Sequence, residues 1–149
     1  MGTSSPLPRL PSKVAAPDAA ASGAYALGAL LVAGEASVHV QQFASVFYAV
    51  RWIGPLFLAN AVAVLVTIAG LTHPRTRRIA GLGGVAISTV ALGSLVVSYG
   101  NGLFGWQEGG FRTPVAIATI TEAGAVIALA TALALDPRAV RRAPRGERA

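Results

Sequence analysis

The sequence predicts an all-α polytopic membrane protein, an antiparallel four-helix transmembrane bundle. Three observations predict it. The 149 residues are 54% hydrophobic and only 12% charged, with a mean hydropathy of +0.61, whereas a soluble domain carries roughly 25% charged residues. Four apolar segments are long enough to cross about 30 Å of hydrocarbon, which takes roughly 20 helical residues. The basic residues gather at the ends of these segments, and almost all of them fall on one side.

Residues 1–18 hold Pro6, Pro8, Pro11 and Pro17 and read as a disordered cytoplasmic tail. The membrane domain covers 19–135, with spans near Ala19–Val40, Trp52–Leu71, Ile79–Tyr99 and Pro114–Leu135. A cleavable signal peptide is the competing reading of the first span, with Gly34-Glu35-Ala36 as a small-x-small site. The preceding segment is long and contains Asp18, and the apolar run continues past the site, so a span is the better fit. Phe43, Val46, Phe47 and Val50 recur at i, i+3, i+4 and i+7, which predicts a short amphipathic helix over Gln41–Arg51 lying on the outer surface.

The second span has Pro55 in its first turn and His73-Pro74 after its end. The third is followed by a Gly-rich loop bearing Phe104, Trp106 and Phe111. Trp52, Tyr99 and Trp106 suit an interfacial aromatic belt, and the ordinary role of Trp106 and Phe104 is anchoring there. Thr113-Pro114 opens the fourth span as a cap followed by Pro at the first helical position, and Asp136-Pro137 closes it. Residues 136–149 form a basic tail, expected to rest against anionic lipid.

Arg9, Lys13, Arg75, Arg77, Arg78 and the five arginines after Pro137 place ten of the twelve basic residues on one face; Arg51 and Arg112 lie on the other. The positive-inside rule then puts both termini in the cytoplasm of a plasma-membrane protein. Topology accounts for the net charge of +6, and no basic motif with interleaved aromatics indicates nucleic acid as a partner. The chain has no Cys, which excludes disulfides, thiolate metal sites and Cys nucleophiles.

Polar residues inside the spans mark the candidate site. Glu35 and His39 are four residues apart, so they share one helix face. Counted from the outer ends of their spans, Glu35, Asn60, Ser94 and Glu122 reach a common layer, with His39 one turn above. An acid in hydrocarbon costs a few kcal/mol, so it is turned inward and paired or protonated. Glu35, His39, Asn60, Ser94 and Glu122 are therefore expected in one polar pocket near the outer mouth of the bundle. Ala80, Gly84 and Ser88, and likewise Gly124, Ala128 and Ala132, form small-residue stripes that allow close helix approach.

Several uses of this layer are open: a hydrogen-bonded latch, a proton or cation site, and a quinone-linked redox site in which His39 and Glu35 contact ring oxygens. A haem held by two His is disfavoured because His39 and His73 fall on opposite faces. A lone Glu-xxx-His lacks the further His of the zinc-protease pattern, and no phosphate loop, nucleotide fingerprint or nucleophile elbow is present. No cofactor is specified. The leading expectation is a non-enzymatic accessory or interaction subunit with an outward-facing polar pocket. Its partners would be the lipid bilayer and a membrane protein or further copies of the chain. A proton- or cation-coupled transport component is the alternative, and so small a unit would need a homo-oligomer.

The run Tyr48-Ala-Val-Arg-Trp-Ile-Gly-Pro-Leu-Phe-Leu-Ala-Asn60, the later Gly102-Leu-Phe-Gly-Trp-Gln-Glu108 and Glu122 in the last span resemble a group of small four-span integral membrane proteins of actinobacteria. His39, Gly54, Pro55 and Asn60 match its pattern. Val40-Gln41-Gln42-Phe43 stands where that group has Leu and Trp. The resemblance covers most of residues 25–135; it implies the architecture and supplies no activity.

Overall fold

A computed structural model describes residues 16–136. They form four α-helices: α1 (Ala16–Gln42), α2 (Ile53–Thr72), α3 (Arg77–Gly100) and α4 (Thr113–Leu135). All four are long and apolar enough to cross a membrane, and the chain is a multi-pass, all-α membrane protein. Short connections at 48–52 and 73–76 make successive helices antiparallel neighbours. Helix α1 packs against α2 and α4, and α3 packs against the same two. The diagonal pair α1 and α3 meets at few points.

Buried positions explain this packing. On α1, Ala21, Tyr25, Gly28, Val32, Glu35, His39 and Gln42 are buried, and so are Glu122, Ala125, Leu129 and Ala132 on α4, with Asp136 just past its end. Spacings alternate between three and four, the seven-residue repeat that keeps one seam facing its neighbours in a left-handed bundle. The distribution of polarity is inverted relative to a soluble bundle. Leu30, Leu65, Val66, Ile79, Val90, Ile120 and Ile127 are exposed, while Glu35, Ser88 and Glu122 are buried. An apolar exterior of this extent is stable only against lipid.

Because lipid tails are as apolar as Leu, helix association here depends on close contact more than on burial. Leu129 is the central example. It is fully buried, and its side chain fills the space that a Cβ would occupy at both Gly28 of α1 and Gly84 of α3. Tyr25, Val32, Val64, Leu71, Ala125 and Ala132 complete the same core cluster. Tyr25 and Val32, both ahead of Ala36, thus form part of this core.

The expected surface helix over Gln41–Arg51 is not found. Helix α1 instead continues into a π-helical turn over Phe43–Phe47, giving one apolar segment of 29 residues, Ala19–Phe47. Continuation keeps the backbone N–H groups bonded within the helix. It also swings Phe47 inward, where the ring stacks on Phe57 of α2 at 4.7 Å between centroids. The chain then turns through Trp52, which adopts a positive φ of 71°. The carbonyl of Phe47 occupies the position a Cβ of Gly54 would take, so the return into α2 requires glycine there.

The loop after α3 also departs from expectation. Leu103 and Trp106 exchange backbone hydrogen bonds of 2.7 and 2.9 Å. The two central residues have positive φ, 50° at Phe104 and 84° at Gly105, as in a mirror-image hairpin turn. This turn folds Trp106 back over the bundle end, where its ring meets Phe47 edge-on at 4.9 Å. Trp106 is thus half-buried against the bundle, whereas Phe104 and Trp52 are exposed. Glu108 and Arg112 hold the loop with two hydrogen bonds of 3.1 Å each.

At the opposite end, Asp136 is buried, although the sequence reads it as the start of a tail. The Tyr25 hydroxyl donates to Asp136 Oδ2 at 3.4 Å, Arg77 lies 3.9 Å from the same oxygen, and the Arg77 guanidinium sits over the Tyr25 ring. These contacts tie together one end of α1, α3 and α4. Of the expected N-terminal tail 1–18, Ala16–Asp18 already form the first turn of α1, and the remainder of both expected tails lies outside the described residues.

Candidate functional site

Glu35 is the centre of the polar layer. It is 0% exposed, and both carboxylate oxygens accept hydrogen bonds: Oε1 from Asn60 Nδ2 at 3.1 Å and Oε2 from Ser88 Oγ at 2.6 Å. One turn along α1, His39 Nδ1 lies 3.0 Å from the Glu35 carbonyl oxygen. A carbonyl only accepts, so Nδ1 carries the proton and, in the neutral ring, Nε2 keeps its lone pair. That nitrogen faces Asn60 Nδ2 at 3.3 Å and Glu122 Oε1 at 3.8 Å. Glu122 is 2% exposed.

The structure thus brings Glu35, His39, Asn60 and Glu122 together. It does not bring Ser94 to the acids. Ser94 lines the wall of an adjoining cavity, and no hydrogen bond among the described residues joins it to the cluster. The reason is the extension of α1. Glu35 is twelve residues from Phe47, or about 18 Å along the helix. A partner on α3 at that depth is Ser88, twelve residues before Gly100. The sequence signal for Ser88 was its place on a small-residue stripe, which suits close approach and donation equally.

A cavity of about 470 Å³ opens above this layer, toward the end where α1 joins α2 and α3 joins α4. Its walls are largely apolar, with Val38, Ile53, Phe57, Ile87, Val90 and Leu95 among them, and His39, Asn60, Ser94 and Glu122 supply polar atoms. Four buried side-chain polar atoms lack a hydrogen-bond partner among the described residues. Three of them, Asn60 Oδ1, Trp106 Nε1 and Glu122 Oε2, belong to residues lining this cavity. Buried polar groups without partners are uncommon because each costs about 1–3 kcal/mol. A line of rings joins the floor to the rim, with His39 4.8 Å from Phe57 and Phe57 stacked on Phe47 beneath Trp106. Phe47, Phe57 and Trp106 were not legible as site residues, since apolar aromatics in spans ordinarily face lipid or core.

His73 lies in the connection at the far end of the bundle, where Nδ1 accepts from the Arg75 amide at 3.3 Å. The two imidazoles cannot share a ligand. The chain matches no protein-family model, no curated protein and no solved structure.

Proposed function

We propose that this is a plasma-membrane binding protein whose outward-facing cavity holds one small amphipathic molecule. It serves as an accessory subunit and not as an enzyme. Both termini lie in the cytoplasm, a reading supported by the ten basic residues on one face. The observation that carries the proposal is the cavity itself, with apolar walls and three unpartnered polar atoms from Asn60, Trp106 and Glu122. Ligand sites combine a mostly apolar lining with a few convergent polar groups in this way. A molecule with a ring or short chain and one or two hydrogen-bonding heads would satisfy both parts.

Trp106 provides the test. The chain has two tryptophans, so Trp52→Phe leaves Trp106, at the cavity, as the sole reporter. Short-chain quinones, medium-chain alcohols and fatty acids titrated into this variant in nanodiscs should include one that changes Trp106 emission saturably. Adding Ala118→Phe, which narrows the cavity, should abolish the response. Responses that are only linear in concentration, and equal with and without Ala118→Phe, would indicate partitioning into lipid and overturn the proposal.

A further inference from the structure

We infer that Glu35, His39 and Glu122 bind one divalent first-row transition-metal ion, with the amide oxygen of Asn60 as a fourth ligand. The inference goes beyond the cavity reading and stands without it. One ligand atom from each of Glu35, His39 and Glu122 lies within 4.8 Å of the others. Metal–ligand bonds of about 2.0–2.2 Å set neighbouring ligand atoms roughly 3.0–3.5 Å apart. Asn60 Nδ2 is 3.1 Å from Glu35 Oε1 and 3.3 Å from His39 Nε2. Turning the amide over exchanges its nitrogen for the unpartnered Oδ1, which places an oxygen ligand on two edges of the required length. His39 Nε2 and Glu122 Oε1, at 3.8 Å, close to a third edge with a small rotamer shift.

Two further features separate this cluster from an ordinary pair of buried acids. Glu122 Oε2 has no partner although the residue is 2% exposed, so the carboxylate that faces His39 has coordination capacity to spare. The outer contacts are those of metal ligands. His39 donates Nδ1–H to a backbone carbonyl, which fixes the tautomer and aims the Nε2 lone pair at the centre, and Ser88 holds Glu35 Oε2. Two carboxylates with a neutral imidazole offer up to two negative charges to one divalent ion, cancelling a charge that is otherwise costly at this depth. One nitrogen with oxygen donors and no thiolate favours ions such as Zn²⁺, Mn²⁺, Fe²⁺ or Co²⁺ over Ca²⁺ or Cu⁺.

The test uses the full chain in mild detergent, stripped with chelator and titrated with Co²⁺ alone. Visible ligand-field bands should saturate at one ion per chain and be displaced by Zn²⁺. Zn²⁺ at roughly 100-fold over its Kd should raise Tm by about 5–10 °C. Both signals should be lost in His39→Gln and in Glu122→Gln, and both should remain in His73→Gln, which removes the other imidazole. If His39→Gln does not fold, the near-isosteric Glu122→Gln and the wild-type stoichiometry decide. Absence of saturable bands in the wild type, or bands that survive His39→Gln and Glu122→Gln unchanged, would overturn the site. A positive cobalt spectrum with no saturable Trp106 response to amphiphiles would overturn the cavity reading alone; the converse would overturn the metal site alone.

Discussion

Ser88 donates a 2.6 Å hydrogen bond to Oε2 of Glu35 across 53 positions of sequence. The two residues sit on α3 and α1, the diagonal pair that otherwise scarcely touches. Neighbouring helices are held by close packing, and across the diagonal this buried polar brace adds to the Arg77–Tyr25 stack and to the Leu129 side chain wedged between Gly28 and Gly84. Asn60 joins it from α2 and Glu122 from α4, so the polar layer reads the relative height of all four helices at once.

Removing the brace should therefore cost more than removing an ordinary serine. Ser88→Ala leaves Glu35 Oε2 buried without its donor, an expected loss of about 1.5–3 kcal/mol. Ser94→Ala, on the cavity wall, should change stability by less than about 0.5 kcal/mol. Unfolding midpoints in mixed micelles would compare them. Equal losses would mean that Glu35 is not held from α3 in this way.

The two acids should tolerate size-matched amides and reject cations. Glu122→Gln and Glu35→Gln keep volume and hydrogen-bonding capacity, so expression and fold should persist with modest loss of stability. Glu35→Lys and Glu122→Lys place an ammonium among buried apolar groups at a cost of about 3 kcal/mol, and expression should fall sharply. Lysine variants that melt and express as wild type would show that these positions are not buried.

Leu129 and Gly84 should be coupled. Leu129→Ala empties the socket between α1 and α3 and should cost about 2–4 kcal/mol. In the wild type, Gly84→Ala drives a methyl into Leu129 and should cost about 1–3 kcal/mol. In the Leu129→Ala background only Thr67 Cγ2, 3.2 Å from the methyl, still crowds it, so the second substitution should cost clearly less than in the wild type. A double-mutant cycle on thermal melts would measure this, and additive losses would contradict the contact.

Orientation is open to a direct measurement. A reporter fused after Arg138 should be active in the cytoplasm, and one inserted at Gly109-Gly110 should behave as external, as the distribution of Lys and Arg requires. The reverse pattern at both points would invert the bundle and turn the cavity toward the cytoplasm, and a reversal at one point alone would contradict the four-span topology.

The architecture was legible because its causes are local. Whether a segment suits lipid depends on its own length and side chains, so all four helices follow from hydropathy. That Glu35, His39, Asn60 and Glu122 turn inward follows too, since carboxylates, amides and imidazoles are costly against hydrocarbon wherever the neighbours stand. Register was not legible. Val40-Gln41 reads as a plausible end for the first span, yet the helix runs on to Phe47, whose ring meets Phe57 and Trp106. The few residues of extension exchange Ser94 for Ser88 as the partner of Glu35. The inward turn of Trp106 and the link from Asp136 to Tyr25 are of the same kind. Sequence alone determined which side chains leave the lipid, since that is each residue's own transfer free energy. Which of them meet was decided only by tertiary structure, because a hydrogen bond between helices depends on their relative height to within a fraction of a turn, and only packing sets that height.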